Sequence, residues 1–321
     1  MISLRYHIVS LVAVFLALAL GIVVGSTVLQ EGTVSVLRAT SERVRQESDR
    51  NSRENVSLRQ ELSRQQSFGA AVLPELVQGR LKGRPVVLVD TDKVDGGIRD
   101  SVRKVLEDAG AEVDGQITLA DTRLTLGAEA DRTAVGRLLA LDAGAADVLR
   151  GELVKRLADR LVTPSALPQA DNQRASDLLT ALQDADFADL KLTKPLAAGT
   201  DPFPRQGTSF VLLGPSAAAS ATAVAPNAFL VPLADQVSAR AGGAVAGVEA
   251  AAVPRDSSWI VALRNDRQVS HRVSGIDAVD AVYGQLSLVQ ALQSSLLREA
   301  AGQYGVKDGA SRLFPDRAQG S

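Results

Sequence analysis

Residues 8–29 read IVSLVAVFLALALGIVVGSTVL, a run without a charged side chain in which Ser10, Ser26 and Thr27 are the polar interruptions. About 20 apolar residues in helical form match the thickness of a bilayer core, so the run predicts a membrane span. A helix buried in a soluble domain would carry an apolar stripe and a polar face, whereas this one is apolar all round. A cleavable signal is the rival reading, with MISLRYH as its basic start and Ala17-Leu18-Ala19 as its cleavage site. Cleavage there would leave the apolar terminus Leu20-Gly21-Ile22-Val23, so an uncleaved anchor is preferred. The short flank predicts a cytoplasmic N-terminus and an exported C-terminal part, although Arg5 before the span and Arg38, Arg43 and Arg45 after it leave the positive-inside count undecided. Ala17, Gly21 and Gly25 recur every four residues, a spacing that lets two membrane helices approach closely and that is also common in such helices for no special reason.

From residue 31 to residue 67 the pattern changes. Gly32 is the last glycine before Gly69, proline is absent, and Arg alternates with Glu and Asp, which predicts one continuous helix. Written in heptads, the inward positions run Val34, Leu37, Ser41, Val44, Ser48, Asn51, Asn55, Leu58, Leu62, Gln65. Half are apolar and the middle is polar, so the stretch reads as a weak coiled-coil stalk in which Asn51 and Asn55 would set register at a cost in stability. A straight helix of this length reaches roughly 55 Å. It serves self-pairing, docking onto another protein, or simply spacing. Phe68-Gly69 and Pro74 are expected to end it.

The remainder predicts an α/β body. Residues 86–89, Val-Val-Leu-Val, form a β-branched run of the kind buried in parallel sheets. A helix is expected from about Gly97 to Ala109, with Ile98, Val102, Val105 and Leu106 on one face and Gly110 as its stop, and then a second strand begins at 111–113. Strand, helix and strand in about 30 residues make a βαβ unit. Residues 131–187 read as helices broken between Pro164 and Pro168. The sheet resumes at 208–213, an Ala-rich helix follows Gly214-Pro215-Ser216, and further strands are expected at 228–231, 244–248 and 259–263. Asp277 or Asp280 would cap a closing helix carrying Leu286, Val289, Leu292, Leu296 and Leu297, and the chain from Asp316 reads as a polar tail. The expected organisation is an anchor over 1–30, a coiled-coil stalk over 31–68, an extracytoplasmic Rossmann-like three-layer α/β domain over 84–305 and a flexible tail over 306–321.

Composition narrows the chemistry. A net charge of −2 gives no footprint for nucleic acid, and the absence of cysteine removes disulfides, thiolate metal sites and a cysteine nucleophile together. Asp90, Asp92 and Asp95 follow the first strand, where open α/β sheets place ligands, but Asp is also the usual turn and cap residue there. No GxGxxG, GxxxxGK[ST] or GxSxG motif is present, and Gly242-Gly243 and Gly247 flank a strand rather than opening a helix. The two histidines, His7 at the membrane border and His271 on an expected strand or hairpin, and the single Met1 do not assemble a soft metal site. The expectation is a protein that is not an enzyme and carries no cofactor.

The N-terminal Ile2-Ser3-Leu4-Arg5-Tyr6-His7 with Phe15-Leu16-Ala17-Leu18-Ala19 and Gly21, together with Ser274, Asp277, Val279-Asp280, Gly284-Gln285, Ala291-Leu292 and Tyr304-Gly305, resembles the actinobacterial MctB family. The resemblance covers nearly the whole chain, most specifically at its two ends. It implies copper export or tolerance, with an outer-membrane location and a pore proposed. It also implies a second role, since some members are implicated as coiled-coil partners that control peptidoglycan hydrolysis at division. The residues suit the second role better: the repeated ten-residue alternating strands of a membrane barrel are missing. The expected protein is single-pass in the cell membrane, homodimeric or partner-binding through Val34, Leu37, Val44, Leu58 and Leu62, with Ala17, Gly21 and Gly25 packing the span.

Overall fold

The computed structural model describes residues 4–142, 144–168, 174–194, 201–216, 226–296 and 301–314, with the backbone alone given at 4–5, 26–39, 226–227 and 296. The Ala-rich stretch after Ser216, Leu297 and the tail from Asp316 lie outside the described residues. The chain divides into two units, residues 1–65 and 66–321.

The first unit is helical throughout its described residues and belongs to α1 (Leu4–Val77, 74 residues). Its segment Tyr6–Gly25 has a mean hydropathy of 2.9, with no part buried, and is long and apolar enough to cross a membrane. The expected stop at Phe68-Gly69 and Pro74 is not where the helix ends. Gly69 is instead a point of close approach, since a Cβ there would sit 2.9 Å from Val282 Cγ2. Pro74 falls within the last turn, where the missing N–H removes a single helical bond. Leu73, Val77 and Leu81 are buried in the core of the second unit, and that packing carries the helix past the proline.

The second unit is built on β1 (Pro85–Thr91), α2 (Gly96–Asp108) and β2 (Glu112–Leu119), the βαβ unit read from the sequence. β1 and β2 pair in parallel with Leu88 opposite Gln116, and Gly110 at φ 84° follows α2. Next come α3 (Asp121–Leu124), α4 (Glu129–Leu139), α5 (Ala146–Val162) and α6 (Leu178–Asp184), the expected helical middle. β3 (Ala188–Leu192) then pairs antiparallel with β2, and β4 (Ser209–Leu213) pairs parallel with β1. After α7 (Pro226–Ser238) and β5 (Val245–Val248) the chain forms α8 (Trp259–Asn265), α9 (Arg267–Ser270), β6 (Ser274–Ile276), α10 (Val282–Leu296) and β7 (Gln303–Tyr304). The seven strands lie in the order β3-β2-β1-β4-β5-β6-β7, parallel except for β3.

Alternation along β1 builds two cores. Val87 and Val89 join Leu149, Leu153, Phe187 and Phe210 on one face, while Val86 and Leu88 join Val102, Leu106, Leu288 and Leu292 on the other. Each fully buried Val or Leu contributes about 1.5–3 kcal/mol, so sandwiching the sheet on both faces is the main source of its stability.

Two expected strands are helices. Residues 228–231 lie in α7, where Phe229, Leu230, Leu233, Ala234 and Val237 recur at helical spacing and are buried. Residues 259–263 lie in α8, which Ser258 caps by accepting a hydrogen bond from Val261 N–H at 3.1 Å. Apolar runs this short look alike in either conformation, and the cap decides in favour of helix. His271 lies at the end of α9 and not on a strand. Neither proposed cap of α10 serves it, because Asp280 accepts from Ala251 N–H and Asp277 is fixed in an ion pair.

Candidate functional site

The strand order reverses between β1 and β4, the position at which open α/β sheets usually bind ligands. Here the loops beyond the two strands are tied directly to each other. Asp95 N–H donates to Ser216 Oγ at 2.8 Å, and Ser216 N–H donates to Lys93 O at 3.2 Å. The three carboxylates marked by the sequence go to separate partners. Asp90 is fully buried against Arg99 and accepts from Gln116 Nε2 at 2.9 Å; burial pushes its carboxyl up, against the lowering effect of Thr118 and Arg99. Asp92 accepts from Asp121 N–H at 3.1 Å and faces Lys93 at 3.5 Å. Asp95 caps α2 by accepting from Gly97 and Ile98 N–H at 2.9 and 3.2 Å. Among the described residues no group of three or more His, Cys, Asp or Glu could hold a metal ion.

A neighbour that the sequence did not single out is more perturbed. Asp121 opens α3 with its side chain buried, and Oδ2 finds no hydrogen-bond donor among the described residues. Burial first, then the charge of Asp92, push its carboxyl up to about 6, with Lys93 opposing.

Two buried ion pairs lie beyond β5, β6 and β7. Arg264 and Asp277 form an ion pair at 2.9 Å. Arg264 also donates to the carbonyls of Gly275, Tyr304, Lys307 and Asp308. Asp277 accepts from Val306 and Lys307 N–H at 2.8 and 3.0 Å. Lys307 turns its ammonium to Glu249, whose other oxygen accepts from Trp259 N–H at 2.9 Å. Burial raises the Glu249 carboxyl and lowers Arg264, in each case against the pull of the partner charge. Two cations and two anions thus balance at a largely buried site, and backbone groups satisfy most of their hydrogen bonding, although Arg264 Nε finds no acceptor among the described residues. The sequence marked Asp277 and Gly305 only as parts of a pattern. Gly305 has a φ of 130°, and a Cβ there would collide with the Asp277 carboxylate. This cluster holds residues 303–308 against the sheet.

On the long helix, Gly21 and Gly25 have no atom within 4 Å of where a Cβ would stand, and Ala17 is exposed beside them. Val44, Leu58 and Leu62 share a face and are 60%, 63% and 55% exposed. A shallow hollow of about 670 Å³ runs between Val44 and Arg59, lined in part by Ser48, Asn51, Ser52 and Asn55. The side chains of Val34 and Leu37 lie outside the described residues.

A long N-terminal helix with an apolar span and a mixed α/β body on a seven-stranded, mostly parallel sheet define a membrane-associated protein with one large domain beyond its membrane segment. The family described as "Copper transport outer membrane protein, MctB" matches residues 1–315, and the chain belongs to the MctB family. It is 28% identical over 333 residues to "Copper transporter MctB" of Mycobacterium tuberculosis (strain ATCC 25618 / H37Rv), covering 97% of this chain and 98% of that protein. It is also 28% identical over 337 residues to "Copper transporter MctB" of Mycobacterium leprae (strain TN), covering 98% and 99%.

Proposed function

We propose that the protein is a single-pass, non-enzymatic adaptor of the cell membrane, with its N-terminus cytoplasmic and its Rossmann-like body outside. Residues 31–67 act as a coiled-coil stalk that pairs with a second copy and engages an envelope or peptidoglycan-hydrolase partner. The observation that carries this reading is the exposed apolar face of Val44, Leu58 and Leu62 on a helix continuous with the apolar span. Four carboxylates at the sheet ends support it, because Asp95 caps a helix, Asp92 holds a loop, and Asp277 and Glu249 sit in ion pairs. The turn after β1 carries neither GxGxxG nor GxxxxGK[ST], the familiar phosphate cradles.

A role in copper export or tolerance is the second reading, favoured by the name of the family and of its mycobacterial relatives. The ligand chemistry is against a soft cuprous site within one chain, since cysteine is absent and Met1 is the sole methionine.

The experiment is a pull-down of the full chain from the envelope, with Val44, Leu58 and Leu62 intact or replaced by lysine, scored beside division, wall integrity and copper tolerance. An adaptor loses its partner and its division or wall phenotype while copper tolerance is kept. If loss of the protein changes copper tolerance alone, or the purified chain conducts ions in bilayers, the adaptor reading is wrong.

A further inference from the structure

The positions that flank the stalk's seam are segregated by charge. In the register set by Val34 and Leu37, one flank carries Arg38, Arg45, Ser52 and Arg59, and the other carries Thr40, Glu47, Glu54 and Glu61. A coiled coil brings opposite flanks together when its helices run parallel and like flanks together when they run antiparallel. Parallel pairing sets Glu54 of each helix against Arg59 of the other, one heptad on. It also sets Thr40 against Arg45, Glu47 against Ser52 and Glu61 against Gln66, with no like-charge contact. Antiparallel pairing brings Arg to Arg on one side and Glu to Glu on the other.

The seam selects register in the same way. Asn55 occupies an inward position whose burial opposite another asparagine is tolerated in two-stranded parallel coils and is costly opposite an apolar side chain. In the single chain its Nδ2 donates to Asn51 O at 2.9 Å, and its side chain is exposed. Shifting one helix by a heptad would set Asn55 against Ser48 or Leu62 and Leu58 against Asn51 or Gln65. Alignment without a shift sets Val44, Leu58 and Leu62 each against its own copy. Among the described residues Glu54 and Arg59 have no ion-pair partner within the chain. The span Tyr6–Gly25 continues into the stalk without a helix break, so two copies inserted the same way present their stalks in the same direction.

We infer that the stalk's apolar face is occupied by a second copy of this chain, parallel and in register, with Asn55 facing Asn55 and reciprocal Glu54–Arg59 pairs fixing the direction. The inference rests on the reading of residues 31–67 as the interaction segment and specifies what that segment first binds. The membrane glycines take no part in closing this seam. Gly21 and Gly25 lie about 100–140° around the helix from Val44 and Leu62, so one straight pair cannot use both faces.

The chain has no cysteine of its own, which permits a direct test in the full-length protein in its membrane. Under a mild oxidant, Val44→Cys and Leu58→Cys are expected to form disulfide-linked dimers, and Arg53→Cys, on the outer face, at least tenfold less. Glu54→Arg should lower the cross-linking of Leu58→Cys roughly tenfold, and Glu54→Arg combined with Arg59→Glu should restore it. Equal yield at positions 53 and 58, or no rescue by the double exchange, overturns the inference. Its failure is distinguishable from failure of the partner-binding part of the adaptor reading, which is decided by capture of the partner and not by cross-linking between copies.

Discussion

Arg264 Nη1 lies 2.9 Å from Asp277 Oδ2 with the two side chains 1% and 0% exposed, and both residues also bind the backbone of the segment that follows β7. The pair is therefore a joint between α8, β6 and residues 304–308 and not an isolated ion pair. Replacing Arg264 by alanine would leave the Asp277 carboxylate buried and short of its cation. The expected loss is about 3–5 kcal/mol. Urea unfolding of the full chain in detergent, followed by fluorescence, measures it. Trp259 is the sole tryptophan and is fully buried with its Nε1 donating to Val248 O at 3.1 Å, so its emission should shift to the red at the transition.

Asp121 should give the body a pH dependence of definite sign. Its carboxyl is held at about 6 against 3.8 for the free group, so between those values the native state keeps a proton that the unfolded chain has lost. That contribution is fully present below the lower value and is lost as pH rises to the upper one, by roughly 3 kcal/mol at about 1.36 kcal/mol per unit. Asp121→Asn is expected to raise the melting temperature at pH 7.5 and to flatten its fall between about pH 4 and 6. An unchanged profile would show that the group ionises freely.

Gly305→Ala should be costly for its size. At φ 130° a side chain is strained wherever it points, and here it points into the Asp277 carboxylate. A loss of about 2 kcal/mol or more in the same unfolding assay is expected. If the variant is as stable as the wild type, the ion pair is not held in the position described.

Replacing Val44, Leu58 and Leu62 by lysine should leave the unfolding midpoint of the body within about 0.5 kcal/mol of wild type, because all three side chains are exposed. The same fluorescence of Trp259 reports it, and a large drop would mean that the stalk face contributes to the fold of the body.

What was legible in the sequence follows the strength of each local signal. The apolar run and the polar helix that follows it announce themselves over tens of residues, and β1, α2, β2 and β4 combine β-branched or helical periodicity with clear turn residues. The end of α1 is hidden in the sequence because Gly69 and Pro74 ordinarily break helices. Here Val282 meets Gly69, and the core around Leu73 and Val77 overrides the proline. Residues 228–231 and 259–263 resemble strands in the sequence, because four or five apolar residues do not distinguish strand from buried helix. β3 was not expected, and β6 and β7, of three and two residues, carry almost no pattern.

The charge cluster was the least legible part. Glu249 and Lys307 are 58 residues apart and Arg264 and Asp277 are 13 apart, so their pairing comes from the fold and not from any local spacing. The carboxylates after β1 are visible in the sequence, and Asp95 takes the cap role open to it there, whereas the more perturbed group, Asp121, sits at the end of the neighbouring strand where no motif marks it.

The joint beyond β7 also sets an order of events during synthesis. Until Gly305 and Lys307 have left the ribosome, Glu249, Arg264 and Asp277 lack the donors and acceptors that make their burial tolerable. The first strands can pair early, but the far edge of the sheet must wait, open and wet, for the segment that seals it. That end of the sheet stays unlocked until residues 303–308 are in place to close it.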